Sequence, residues 1–519
     1  MPAKLSALVL LVVALTGCPG NNAGPGEDCK RHRDCNGNLQ CVNSVCVGRC
    51  QRASDCGDGF ACDDDGLCVA ATGQRGDRCE SEVDCAAGLS CQIDGDRVDD
   101  RGVLTASCAT QNDRAAPLTA TCSTDDDCRN GTCALGRCVD LCKRTRDCGA
   151  GTSCMEIPRV EARGSLFQGC LLSHGIASWP LPVRAPDEVI LFPVPSGARQ
   201  ASLVLTVDDP ALLVGVRSVF APFQGRRLYQ PCPQLDDHAR CSEEEALEQY
   251  YENVVRHHRA PGTAVLAMPS SPKPEAQLVP GAYRVRVSSF HTDGQTAPAT
   301  PKVTAVLRMG EATRLDLHFH FLDLHQHPCA ATFGNTTLNA AAARVEPFFQ
   351  TDFLGELRAI FAPGGVSLGQ ITYQDVAGRP ALDGLEVSEV GTLLRLGQHK
   401  TGVNVFFVRN LSPIGIQAYS PNPGPATVGG TTASGIVIGV DTLCYRTWDV
   451  LARITAHELA RYMGLYHNVE PGTPRSSFRR DPIDDSDDRD TNLMFYSEVG
   501  GTELSPGQRD ILTRSPVLQ

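Results

Sequence analysis

The chain has 519 residues, a formal net charge of -13 and 25 cysteines. The acidic balance argues against nucleic acid and against an anionic bilayer surface as electrostatic partners. At this length about three domains are expected, and no stretch after the first residues has the roughly 18 uninterrupted apolar positions of a membrane helix.

In chain order, Lys4 supplies a short basic start, Leu5 to Leu15 is an apolar run, and Leu15-Thr16-Gly17-Cys18 closes it. This segment resembles a bacterial lipoprotein signal, which implies removal of residues 1–17 and lipidation of Cys18. Residues 18–28, rich in glycine and proline, read as a flexible tether. The expected location is therefore a bacterial membrane, the outer one in the first instance, facing the periplasm or the surface, with the lipid as the sole membrane contact.

If Cys18 carries lipid, 24 of the 25 cysteines remain, an even number in an exported chain. Twenty of them, between Cys29 and Cys170, fall into five groups of four, each beginning Cys-x5-Cys, with an aspartate before the second cysteine: Asp34, Asp55, Asp84, Asp127 and Asp147. Glycine follows three residues later at Gly59, Gly88, Gly131 and Gly151. An Asx turn at the aspartate and a positive φ at the glycine would fold each unit around two bridges. Zinc is the competing explanation of clustered cysteines; the lack of Cys-x2-Cys and the oxidising compartment favour disulfides. Of three possible connectivities, first to third with second to fourth is the one expected. The units, spanning 29–174, resemble EGF-like or Dickkopf-like repeats, which implies a stalk or a binding array.

From 175 to 314, short β-branched segments separated by turn residues predict an antiparallel all-β sandwich. The stretch Gly281-Ala282-Tyr283-Arg284-Val285 resembles a strand of β-sandwich modules that accompany secreted bacterial proteases. Cys232 and Cys241 are expected to bridge a loop. His257 and His258, flanked by Arg256 and Arg259, read as a solvated turn.

The last region, 315–519, opens with a strict alternation that puts Leu315, Leu317, Phe319 and Phe321 on one buried face. A helical stretch from 338 to 360, strands at 366–373 and 403–409, a Pro/Gly/Thr-rich loop at 420–434 and a strand at 435–440 follow. The order predicts an α/β domain with a mixed five-stranded sheet and a helix beyond it. Cys329 and Cys444, the remaining pair, are expected to bond.

That helix carries His457-Glu458-Leu459-Ala460-Arg461-Tyr462-Met463-Gly464-Leu465-Tyr466-His467, with Thr447 as its N-cap and Asp449 in its first turn. Histidines four apart share a helix face and can grip Zn²⁺, and a glutamate beside the first can take a proton from metal-bound water. With Asn492-Leu493-Met494-Phe495-Tyr496 downstream, the region resembles the metzincin superfamily of zinc metallopeptidases. The resemblance implies His457 and His467 as zinc ligands, Glu458 as the base, Met494 as the Met-turn floor and Tyr496 as a switchable ligand or oxyanion stabiliser. Arg461 replaces the second ligand histidine, and guanidinium offers no lone pair to a metal. Two accounts stay open: a closed site in which Arg461 pairs with Glu458 at i, i+3, which the ligand count favours, or zinc held by His457, His467 and a substitute such as Tyr496.

Six aspartates between Asp481 and Asp490 could suggest calcium, but the alternating EF-hand spacing is missing, so a solvated acidic loop is expected. The function implied is a lipid-anchored zinc metalloendopeptidase-like protein, acting on peptide or protein, with hydrolysis lost or reduced. The alternative is a non-catalytic surface binding or adhesion protein that uses the repeats and the former cleft.

Overall fold

The computed structural model describes residues 27–519 apart from 37–38, 43, 57–59, 101–102, 160–164, 223–224, 230–254, 323, 325–326, 334–336, 472–477 and 498–499. The leader, Cys18, most of the tether, Gly59 and the Cys232–Cys241 pair lie outside the described residues. No helix among those described is long and apolar enough to cross a membrane.

Each cysteine unit bonds first to third and second to fourth, from Cys29–Cys41 and Cys35–Cys46 to Cys142–Cys154 and Cys148–Cys170. Such bridges persist in oxidising compartments, which fits an exported chain. The repeated aspartate does not form the forward Asx turn expected of it. It sits at the end of a single 3₁₀ turn and reaches backwards, so that the Asp34 carboxylate accepts from the backbone N–H groups of Lys30 (2.9 Å) and Arg31 (2.8 Å). Asp55, Asp84, Asp127 and Asp147 repeat this with the residues four and three positions before them. Those donors hold Asp34, Asp55 and Asp127 below the usual carboxylate range. Gly88, Gly131 and Gly151 do take positive φ.

The units also pack on one another. Arg52 Nη1 donates to the carbonyls of Gly149 (3.0 Å) and Thr152 (3.2 Å), and Arg146 Nη1 to that of Asp63 (3.0 Å). The second and fifth units are thereby tied.

The sandwich has two antiparallel sheets. One runs, edge to edge, Gly175–Leu181, Lys302–Met309, Ala198–Thr206, Thr263–Met268, Arg256–Ala260; the other runs Asp187–Val194, Gly281–Phe290, Leu213–Phe220, Arg227–Tyr229. Alternate side chains such as Leu203, Leu205, Val214, Val285 and Val287 fill the space between the sheets. His257 and His258 are not in a solvated turn: both belong to the edge strand Arg256–Ala260, which Gly262 (φ 74°) folds back onto Thr263–Met268. His257 points into the sandwich, where Tyr229 Oη is 2.8 Å from its Nδ1. Arg256 and His258 therefore face the other way, towards the C-terminal domain.

That domain is built on a mixed five-stranded sheet in the order Ser367–Val376, Arg314–Leu322, Val403–Val408, Ile436–Gly439, Ala418–Tyr419; only the last pairing is antiparallel. Leu315, Leu317, Phe319 and Phe321 meet the helices Leu354–Phe361 and Trp448–Tyr462 on one face. The opposite face of the strand Arg314–Leu322 is covered too, since Asp316, His318 and His320 are buried. The helical stretch expected from 338 to 360 is broken: Ala340–Val345 ends before Pro347, and a π-turn at Phe348–Phe353 leads into the next helix. Cys329 and Cys444 are joined.

The sandwich and the C-terminal domain share one core, in which Val204, Val265 and Val306 pack with residues of the last domain. Polar contacts seal the seam, among them Thr432 Oγ1 to the Pro261 carbonyl (2.6 Å) and Arg308 Nη2 to that of Leu518 (2.9 Å). The loop 420–434 is consequently mostly buried.

Candidate functional site

The helix Trp448–Tyr462 is buried along nearly its whole length and crosses under the sheet. Thr447 occupies its N-cap in extended conformation without a side-chain cap hydrogen bond, and Asp449 lies in the first turn. Its end is a Schellman motif: Leu465 N–H donates to the Ala460 carbonyl (3.0 Å) and Gly464 N–H to that of Arg461 (2.9 Å). The motif needs positive φ at Gly464, which has 109°. The chain then doubles back and returns His467 to the helix.

The two histidines meet. Their Nε2 atoms are 3.1 Å apart, close to the roughly 3.3 Å between two nitrogens on one tetrahedral zinc at 2.0–2.1 Å. His457 Nδ1–H donates to the Leu493 carbonyl (2.8 Å), so its Nε2 carries the lone pair and accepts from His467 Nε2–H. Burial, reinforced by His467 and Arg461, holds the His457 imidazole well below its usual pKa and keeps it neutral.

Glu458, one residue on, is 7 % exposed, and its Oε2 is buried without a hydrogen-bond partner. Burial raises its pKa, against the opposing pull of Arg461, His467 and Arg453. Arg461 Nη1 stands 3.6 Å from Glu458 Oε2, an ion pair at i, i+3. Arg461 also lies near His258 of the sandwich, whose pKa is lowered to about 3, first by burial and then by the Arg461 charge.

Arg453 escaped sequence reasoning. One turn before His457, it is buried and donates to the carbonyls of Ser497 (2.9 Å), Gly501 (3.2 Å), Phe495 (3.4 Å) and Leu493 (3.5 Å). It thus ties the helix to the turn around Met494. The only signal was its i−4 spacing from His457.

Met494 is fully buried under the helix, in the same apolar cluster as Ala456, Leu459 and Ala460. Its backbone N–H donates to Asn492 Oδ1 (2.8 Å), and Asn492 exchanges hydrogen bonds with Gln508. Gln508 in turn closes the capping box on Ser505 that starts the last helix, Pro506–Arg514. Tyr496, by contrast, is 42 % exposed, packs at a tilt against Phe495 and is hydrogen-bonded to neither histidine.

A metal at His457 and His467 would find two well-oriented donors and, among the described residues, no histidine at the position that Arg461 occupies. A catalytic zinc takes three protein ligands, so the residues present do not fit one. The second sheet face holds another histidine group: His318 stacks on His399 at 3.6 Å between ring centroids, and His320 Nε2 donates to Asn404 Oδ1 (3.0 Å). Both nitrogens of His318 are engaged, by Thr372 Oγ1 (2.8 Å) and the Thr401 carbonyl (2.9 Å), which makes this group structural.

Sequence comparison adds no further constraint: no protein-family model and no curated protein matches the chain.

Proposed function

We propose that the chain is a lipid-anchored, exported protein whose C-terminal domain has a metzincin-like peptidase fold with hydrolysis lost or strongly reduced. The observation that carries this is the Arg461–Glu458 ion pair at 3.6 Å, on the helix face where a second ligand histidine would stand. The pairing supplies a fixed positive charge beside the two histidines and engages the carboxylate that would otherwise take a proton from water. A dication brought next to that guanidinium meets direct repulsion. What remains is a pre-oriented His457–His467 pair without a base free to serve it.

The reading is tested by incubating the purified protein with casein, with and without added Zn²⁺, beside a Glu458→Ala variant. No turnover above the variant is expected. Hydrolysis that disappears in the variant would overturn the proposal. With hydrolysis absent, the remaining role is binding, by the packed cysteine units and the C-terminal domain, at the surface to which the lipid would hold them.

A further inference from the structure

The acidic stretch 481–490 is not simply a solvated loop, because its first residue is inside. Asp481 is 8 % exposed and Asn468, which follows His467, is 0 % exposed. They are cross-strand neighbours: Val469 pairs with Arg480 in an antiparallel ladder, and Asp481 N–H donates to the Asn468 carbonyl (3.3 Å). The two residues lie one step beyond the end of that ladder, side by side across the two segments.

Both side chains carry an orphaned acceptor. Asp481 Oδ2 and Asn468 Oδ1 are buried and accept no hydrogen bond. Asn468 Nδ2 is already committed to the carbonyls of Asp487 and Arg489, which fixes its oxygen on the opposite side, and Asp481 Oδ1 takes the Ser486 hydroxyl and the Ile483 N–H (3.2 Å). Among the described residues no lysine or arginine pairs with Asp481. Burial lifts its carboxyl to about 7, the Asp485 charge adding to the rise against hydrogen bonds from Ser486, Ile483 and the Gln508 side chain. Two buried oxygens on neighbouring residues without a hydrogen bond of their own, followed by five more carboxylates within nine residues, make an acceptor-rich spot that calls for a positive charge with hard-oxygen preference.

We propose that Asn468 Oδ1 and Asp481 Oδ2, with Asp485 at the rim, form a divalent-cation site that fits calcium. Calcium accepts mixed carboxylate and amide oxygens in irregular geometry and completes its shell with water, whereas magnesium demands a near-ideal octahedron. The site is independent of the peptidase reading. It would brace the segment that presents His467, since Asn468 N–H also donates to the Met494 carbonyl (3.1 Å).

The test uses the whole mature protein after EGTA dialysis, with CaCl₂ or MgCl₂ added. Calcium is expected to raise the melting temperature by about 5 °C at a hundredfold excess over Kd, with a matching one-site heat. Asp481→Asn should abolish that rise. Asn468→Asp buries a second carboxylate and loses the Nδ2 donors to Asp487 and Arg489, so it should melt lower in EGTA yet show a calcium-induced rise at least as large as the parent's. No calcium response in the unmutated protein, an undiminished response in Asp481→Asn, or no calcium-induced rise in Asn468→Asp would each overturn the site. An equal response to magnesium would overturn the choice of calcium.

Discussion

The Arg461 guanidinium lies 3.6 Å from the Glu458 carboxylate while the neighbouring His457 keeps its Nε2 lone pair turned towards His467. One residue thus separates the observed arrangement from a three-nitrogen set. Arg461→His restores an acceptor nitrogen at i+4 from His457 and removes the charge that repels a dication. The variant is expected to hold near one zinc per chain after dialysis, and the unmutated protein well below that, by elemental analysis. Stoichiometric zinc in the unmutated protein would show that Arg461 does not close the site.

Arg453 is the second lever on the same helix. Its guanidinium satisfies four carbonyls of the turn that floors the histidines, so Arg453→Met would leave buried acceptors without donors. The expected loss is about 3 kcal/mol or more in a denaturant titration, with Arg453→Lys recovering part of it. Gly500 reports the same packing, because an added Cβ there would overlap the Arg453 guanidinium. A loss below about 0.5 kcal/mol would mean that water replaces the guanidinium at no cost.

Much of this was legible before the fold was known, for reasons tied to particular residues. The cysteine units repeat, so their bridges could be read as one problem solved five times. Leu315, Leu317, Phe319 and Phe321 declare a buried face through period-two alternation. The opposite face did not declare itself, since Asp316, His318 and His320 look like solvent-facing residues until the flanking strands bring Thr372 and Asn404, and the loop between them Thr401, to their side chains. His258 misled for a related reason: Arg256 and Arg259 suggest water, yet Arg256 is buried over the Tyr466 ring, with its Nε donating to Asn422 Oδ1 (2.8 Å). Asn468 and Asp481 are thirteen positions apart, and only the ladder that begins beside them makes them neighbours. Local pattern carries periodicity and turn chemistry; it carries no information about which distant carbonyl a buried arginine will find.

The covered second face of the sheet has a pH consequence. His320 has its pKa lowered from 6.5 to about 4, chiefly by burial. The unfolded chain therefore binds this proton more readily than the folded one, and stability rises with pH through that window. The contribution is complete above about 6.5 and is lost as pH falls towards 4, in all about 3 kcal/mol for a shift of this size. His320→Gln keeps a donor for Asn404 and removes the titration. Denaturant midpoints for the variant are expected to change less between pH 7 and pH 4.5 than those of the parent; equal slopes would place the acid sensitivity elsewhere.

The Cys329–Cys444 bridge closes a loop of 115 residues that contains the last four strands of the sheet in chain order and ends just before the helix Trp448–Tyr462. Chain-entropy reasoning makes long loops the most valuable to close, with an upper figure near 4.7 kcal/mol for a 100-residue loop and less where the unfolded chain stays compact. Trp448 packs on Phe348, and its indole Nε1–H donates to the Thr332 carbonyl (3.1 Å), so the segments on either side of the bridge are already in contact without it. The paired variant Cys329→Ser with Cys444→Ser is therefore expected to fold and to lose about 2–4 kcal/mol in a denaturant titration. The first two cysteine units differ, since each is built around its bridges and has almost no other core, whereas Leu104, Leu135, Ile157 and Phe167 of the later units join the sandwich core. Removing Cys50–Cys62 and Cys56–Cys68 together should unfold that unit and make it the first site of limited proteolysis, while the C-terminal domain keeps its melting transition. A single transition lowered equally by both sets of variants would show instead that the units and the C-terminal domain unfold as one.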